Sequence, residues 1–271
     1  MNLKIGFIGA GNMGSALIKG IASKGFMKSD NIYISDASFE KASELAASIG
    51  GNALADNSEL TKKCDIVFLA VKPNYVQEVL DEVKSSFDAD KVLVSIAVGI
   101  PLSFYKSILG DNAKIIRAMP NTPALVGEGM TLISYENSIT KEEALYVKSL
   151  LECTGLVEVL EERLMSEVTA LTSSSPAYVF IFIEAMADSA VQSGIPRALA
   201  YKLAAQAVLG SAKMVIETGK HPGELKDQVC SPAGTTIEAV YSLEKNGFRG
   251  IVMEAMDNCT KRAQEIGRKF N

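Results

Sequence analysis

The apolar run Lys4-Ile5-Gly6-Phe7-Ile8 stops directly at Gly9-Ala10-Gly11-Asn12-Met13-Gly14, and a segment of helical periodicity (Leu17, Ile18, Ile21) follows before Gly25. No other stretch restricts the fold as tightly. Glycines at this spacing, after a strand and opening a helix, are the fingerprint of a turn that cradles a dinucleotide pyrophosphate. Gly9 makes the tight turn, bare Gly11 lets the pyrophosphate reach the backbone, and Gly14 lets helix and strand pack closely. Asp36 ends the next apolar run, Ile32-Tyr33-Ile34-Ser35. A carboxylate there suits a ribose 2′-hydroxyl and repels a 2′-phosphate. It also suits a helix cap, so both roles stand open. Ser35, Ser38 and Lys41 lie close enough in sequence to accommodate a phosphate instead.

The alternation continues. Residues 65–71 form a continuous apolar strand of the kind buried on both faces, and Pro73 opens a helix as proline can in a first turn. Residues 92–96 are another strand, with Pro101 opening the helix after it. Residues 114–117, 130–133 and 156–159 complete the sheet. A strand-helix alternation this regular predicts a parallel sheet with helices on both faces, a doubly wound α/β domain of Rossmann type over residues 1–162. Ligands of such sheets lie outside the carboxyl ends of the strands. That edge holds Ala70-Val71-Lys72, Ser95 to Gly99, and the stiff Met119-Pro120-Asn121-Thr122-Pro123 loop, suited to walling a nicotinamide ring.

Residues 163–271 read as helix throughout, an all-α domain. Ser175 caps a helix that begins at Pro176 and whose apolar residues, Tyr178 to Ile183, cover most of its circumference, the mark of a helix buried all round. Pro196 starts a second helix that Gly219 stops. A third runs from Thr235 to Lys245 and a fourth from Phe248 toward Gly267. So small a domain cannot cover that much apolar surface alone, which predicts that it dimerises. Between the second and third helices lies 221–244. Thr235-x-x-Glu238 reads as a capping box, with spare backbone donors pointing at whatever precedes the helix. Such a helix start favours a small carboxylate or phosphate.

Bulk properties exclude several classes. The chain of 271 residues is 48% hydrophobic and 22% charged, with a net charge of -5, which argues against nucleic acid as a partner. No run is apolar for long enough to span a bilayer, since Ala177 to Ile183 stops at Glu184. The four cysteines, at 64, 153, 230 and 259, show no metal or redox spacing, and reduced cytoplasmic thiols are the expectation. The single histidine, His221, precedes Pro222 and fits a helix start. The absence of HExxH, GxSxG and a cysteine cluster speaks against zinc chemistry and a triad hydrolase.

Five motifs in order carry a resemblance: Gly-Phe-Ile-Gly-Ala-Gly-Asn-Met-Gly, Val-Lys-Pro, Met-Pro-Asn-Thr-Pro, Ser-Pro-Ala-Tyr and the 221–244 segment. Over its whole length the chain is similar to the pyrroline-5-carboxylate reductases. The resemblance implies reduction of 1-pyrroline-5-carboxylate to L-proline, the last step of proline synthesis, by direct hydride transfer from NADPH or NADH. It implies dimers often assembled into decamers, with substrate at the dimer interface. By position it assigns substrate binding to Ser231, Gly234, Thr235, Thr236 and Glu162, with the Thr236 hydroxyl on the imine nitrogen. It assigns the nucleotide to Ile8, Gly9, Ala10, Gly11, Asn12, Met13, Gly14, Ser35, Asp36, Asn57, Ala70, Val71, Lys72 and Ala97; Asn121 of the stiff loop is added as a nicotinamide neighbour. NADPH is the family's habit, whereas Asp36 favours NADH. Ser173-Ser174-Ser175 stands where the family shows Gly-Ser-Gly. Two other readings share the fingerprint: a β-hydroxyacid dehydrogenase and a nucleotide sensor without catalysis. The first relies on a mid-chain lysine that 172–182 lacks, and the second has no need of the 231–236 loop.

Overall fold

A computed structural model describes residues 3–270. The chain forms two compact units, one up to Ser173 together with the residues from Cys259 onward, the other Ser174–Asn258.

The first unit is built on an eight-stranded sheet. Its strands are β1 (Ile5–Ile8), β2 (Ile32–Ser35), β3 (Asn52–Ala53), β4 (Ile66–Leu69), β5 (Val92–Ser95), β6 (Lys114–Met119), β7 (Gly129–Tyr135) and β8 (Gly155–Val159), in the order β3-β2-β1-β4-β5-β6-β7-β8. β1 and β4 are buried along their whole length, because helices cover both faces. On one face α1 (Asn12–Lys24), α2 (Phe39–Ile49) and, in sequence beyond them, the helix at Lys141–Leu151 pack Leu17, Ile18, Ile21, Leu45, Val147 and Leu150 against the strands. On the other, α3 (Asn57–Lys63), α4 (Val76–Val83) and α5 (Leu102–Leu109) contribute Leu60, Val76, Leu80, Leu102 and Tyr105. Phe7 and Phe68 stack at 4.4 Å between ring centres, locking β1 to β4. The strand order reverses between β1 and β4, the switch point at which open sheets of this kind bind ligands.

The sheet departs from the expected parallel one at a single pairing. β7 runs antiparallel to β6, while the other neighbours are parallel. The connection from Met119 to Gly129 holds only a 3-10 turn, Thr122–Val126, too short for the crossover a parallel return needs. Two helices escape a reading by periodicity. α3 is short and polar, and Asp56 starts it by accepting the Glu59 N–H at 2.7 Å. The helix at Lys141–Leu151, α6, opens with a reciprocal capping box, Thr140 Oγ1 accepting from Glu143 N and Glu143 Oε2 from Thr140 N. The unit closes with α7 (Thr169–Thr172) and the end of the last helix.

The second unit holds α8 (Ser175–Gln192), α9 (Arg197–Thr218), α10 (Pro222–Val229), α11 (Thr235–Lys245) and the first half of α12 (Phe248–Gly267). No strand interrupts the described residues beyond 163, as expected. Ser174, not Ser175, is the residue before α8. Gly219 stops α9 in the left-handed conformation at φ 63, and His221 starts α10 by accepting the Gly223 N–H on Nδ1 at 3.0 Å. α8 is not buried all round in the single chain. Phe180 is 60% and Ile181 66% exposed, and Ile216 on α9 reaches 71%. Contrary to the sequence expectation, residues 169–192 are long and apolar enough to cross a membrane by length and composition alone. Glu184 and Asp188 lie within that stretch.

Candidate nucleotide and substrate site

The glycine-rich turn separates what the fold needs from what a ligand needs. A Cβ on Gly9, at φ 109, would lie 2.5 Å from the Ala70 carbonyl oxygen, and one on Gly14 would lie 2.4 Å from that of Gly9. Both glycines are therefore fixed by packing of β1, β4 and α1. Gly11 is different. Its φ of -70 suits any residue, and a Cβ there would meet nothing within 4 Å. The fold has no use for a bare backbone at 11, whereas any anion that came against the start of α1 would. No side chain caps that helix start, so its first N–H groups face forward.

Asp36 is anchored rather than swinging free. Oδ2 accepts the Ala10 N–H at 2.7 Å and Oδ1 the Ser38 N–H at 2.9 Å. Of the two roles left open by the sequence, the cap of α2 falls to Ser38 and not to Asp36. The carboxylate ties the glycine-rich turn to the end of β2, and of its roughly four acceptor positions about two remain for ribose hydroxyls. Ser38 itself caps α2, accepting the Lys41 N–H. Behind Asp36, Ser35 Oγ donates to Asn57 Oδ1 at 2.7 Å, and Asn57 Nδ2 donates to Glu82 Oε2 at 2.8 Å.

These groups surround a cleft of about 660 Å³ that Ile8, Gly9, Gly11, Asp36, Asn57, Ala70, Val71 and Lys72 help to line. Ala10, Asn12, Met13 and Gly14 complete the turn beside it. Sequence reasoning missed Tyr75, Glu78, Val79 and Glu82, which α4 and the turn before it present to the same space. Their three- and four-residue spacing is the signal that one helix face overlooks the strand ends. The cleft carries three carboxylates, Asp36, Glu78 and Glu82, against two lysines, Lys41 and Lys72.

Ala97 lies buried just past β5, its N–H donated to Ser95 Oγ at 3.3 Å. Ser95 Oγ also bonds the buried Tyr105 hydroxyl at 2.6 Å. Asn121 is held firmly by the fold. It is 8% exposed, its Oδ1 accepts the Met130 N–H at 2.8 Å and its Nδ2 donates to the Thr172 carbonyl at 2.9 Å. It pins the β6–β7 turn to α7. Glu162 is likewise engaged: Oε1 accepts the Leu102 N–H at 2.6 Å, at the start of α5, and pairs with Arg117 at 3.3 Å. It belongs to the first unit, where these two contacts hold its carboxylate between β6 and the start of α5.

In the second unit, Ser231, Gly234, Thr235 and Thr236 do come together. The turn after α10 closes with Gly234 N–H on the Ser231 carbonyl at 3.0 Å, and Ala233 sits at φ 56, uncommon for a residue with a side chain. A Cβ on Gly234 would lie 2.3 Å from Ser231 Oγ. The expected capping box at Thr235 and Glu238 does not form. Gly234 is the last extended residue, at ψ 168, so Thr235 is already inside the helix and its hydroxyl is past the position from which a cap accepts. α11 therefore begins with no side-chain cap, and its first-turn donors stay available to an anion.

A switch-point cleft at a glycine turn, with a carboxylate at the end of β2 beside it, defines a dinucleotide-binding protein of the doubly wound α/β class. The family description "Pyrroline-5-carboxylate reductase dimerisation" matches residues 162–266, and "NADP oxidoreductase coenzyme F420-dependent" matches 4–99. The pyrroline-5-carboxylate reductase of Escherichia coli K12 is 49% identical over 268 residues, 99% of this chain and all of that one. A crystal structure of the Plasmodium falciparum pyrroline carboxylate reductase with NADP bound superposes with a TM-score of 0.89 at 34% identity, covering 98% of both chains. The Coxiella burnetii pyrroline-5-carboxylate reductase gives 0.92 at 32% identity over 98% of this chain and 99% of that one. The chain belongs to the pyrroline-5-carboxylate reductase family.

Proposed function

We propose that this protein reduces 1-pyrroline-5-carboxylate to L-proline, with a nicotinamide dinucleotide in the Gly9–Gly14 cleft and the imino acid at the start of α11. The hydride comes from the reduced nicotinamide. The bare Gly11, whose Cβ would meet nothing, is the feature of the first unit that fits such a group. On the substrate side one observation carries the reading: α11 opens without a side-chain cap behind a turn strained at Ala233. Its N–H groups at Thr235 and Thr236 suit the carboxylate, and the half-buried Thr236 hydroxyl suits the imine nitrogen. A protonated iminium is already a strong electrophile, so the chain's contribution is orientation more than acid catalysis.

Homodimerisation follows from the apolar faces of α8 and α9, which a second copy would cover; assembly of dimers into a decamer rests on resemblance alone. Residence in the cytoplasm fits four free cysteines. The test is an oxidation assay of NADH and NADPH with 1-pyrroline-5-carboxylate and, separately, with small β-keto acids. Turnover of the cyclic imine is expected. No turnover with either cofactor would overturn the reading. Light scattering should show a dimer or a multiple of it.

A further inference from the structure

The first unit contains a second cavity, of about 340 Å³, lined by Arg117, Arg163, Ser166, Gln264 and Arg268 among others. Its chemistry is unlike that of the cofactor cleft, with which it shares no lining residue. Arg117 projects from β6 and is only 6% exposed. Among the described residues it has one partner, Glu162 Oε1 at 3.3 Å, and that oxygen is shared with the Leu102 N–H at 2.6 Å. A guanidinium offers five donors in a planar fork, and one long bond leaves most of them idle in a nearly buried group, which is costly. The fully occluded side-chain polar atoms without a partner are the Ser86 and Ser173 hydroxyls. The idle nitrogens of Arg117 are therefore not sealed in, and the space they open onto is this cavity.

The neighbours reinforce that charge. Arg163 uses Nε on Glu161 at 2.6 Å, which leaves its two terminal nitrogens. Arg268 makes no ion pair among the described residues. Glu167, the one carboxylate in the lining, accepts from the Gln264 amide at 2.8 Å. Three guanidinium groups thus face one carboxylate already engaged, with Glu162 as Arg117's partial counter-charge. Guanidinium forks match the oxygens of phosphate and carboxylate groups in bidentate fashion. We infer that the cavity is a binding site for a small oxyanion, held by Arg117 from below and by Arg163 and Arg268 at its mouth. The occupant would tie residues 264–268 to β6 and to Gly99-Pro101.

The site is independent of the proposed reaction, and its test is binding, not turnover. The full-length protein is titrated calorimetrically, at constant ionic strength, with inorganic phosphate and in a second arm with malonate. Saturable binding of at least one is expected, and the arm that saturates identifies phosphoryl or carboxylate chemistry. Arg163→Ala and Arg268→Ala each remove one charged donor group from an exposed position, so folding should be preserved. Each should weaken binding about tenfold or more, while Lys72→Ala in the other cleft should leave it unchanged. No saturable binding of either anion, equal binding by both arginine variants, or displacement of the anion by NADH would overturn the assignment.

Discussion

Cofactor choice turns on Asp36, and the geometry allows the size of its effect to be worked out. In the proposed pose its free acceptor positions face the adenosine ribose. Losing a hydrogen bond to this charged group should cost NADH about 1.5–3 kcal/mol. NADPH places a phosphomonoester of roughly -1.5 to -2 charges there instead. At about 5 Å and an effective dielectric of about 40, between bulk water and a buried pair, each charge pair is worth about 1.7 kcal/mol. The repulsion is then about 2.5–3.3 kcal/mol. Screening at a half-exposed cleft lowers both terms, so a shift of about 100-fold in the NADPH-to-NADH ratio of kcat/KM is the conservative expectation for Asp36→Ser. The complication is that Asp36 also holds Ala10 and Ser38, so its loss will loosen the turn. That damage falls on both cofactors alike and cancels in the ratio. Asp36→Asn separates the terms further, because it keeps an acceptor for one backbone N–H while losing the charge. The assay is initial rates at saturating 1-pyrroline-5-carboxylate with each cofactor varied, paired with fluorescence measurement of binding. The wild-type protein should favour NADH. A ratio unchanged in both variants would refute the reasoning and reduce Asp36 to an anchor of the turn.

Three further outcomes are expected. Thr236→Ala should lower kcat/KM by roughly 10- to 150-fold, the value of a hydrogen bond to a charged group, without moving the thermal midpoint. Thr140→Ala should cost about 1 kcal/mol in urea unfolding by opening the capping box of α6, with kinetics unaffected. Burial, aided by Asp65, pushes the Cys64 thiol from 9.0 up to about 12. Its folded state therefore holds a proton that the unfolded state releases, and the stability this contributes is full below pH 9 and drains as pH rises from about 9 toward about 12. Cys64→Ala should flatten that part of the stability-pH curve.

The glycine turn, the switch-point sheet and the helix limits at Pro196, Gly219 and Lys245 were legible because each is set by local chemistry. What escaped was set at a distance. Glu162 and Leu102 are 60 positions apart, and Asn121 and Thr172 are 51, so no spacing in the sequence announces that these polar side chains are already engaged. The antiparallel turn of β7 depended on the length of one connection, and the α11 start on a single backbone angle at Gly234. The motif had already given Gly9, Gly11 and Gly14 different roles, and the surrounding atoms fit them: a side chain at 9 or 14 would collide with backbone, and one at 11 would meet nothing.

The first unit is not continuous in the chain: it is left after Ser173 and resumed at Cys259. During synthesis the sheet and its helices emerge first, yet residues 259–270, including the Phe270 ring that packs on Phe104, arrive only after the 174–258 stretch has been made. At roughly 5–20 residues per second that delay is several seconds. The nucleotide unit must wait on the ribosome with part of its surface uncovered. A chain interrupted anywhere in the helical unit would therefore compromise both units, so an incomplete product is left without a finished cofactor domain.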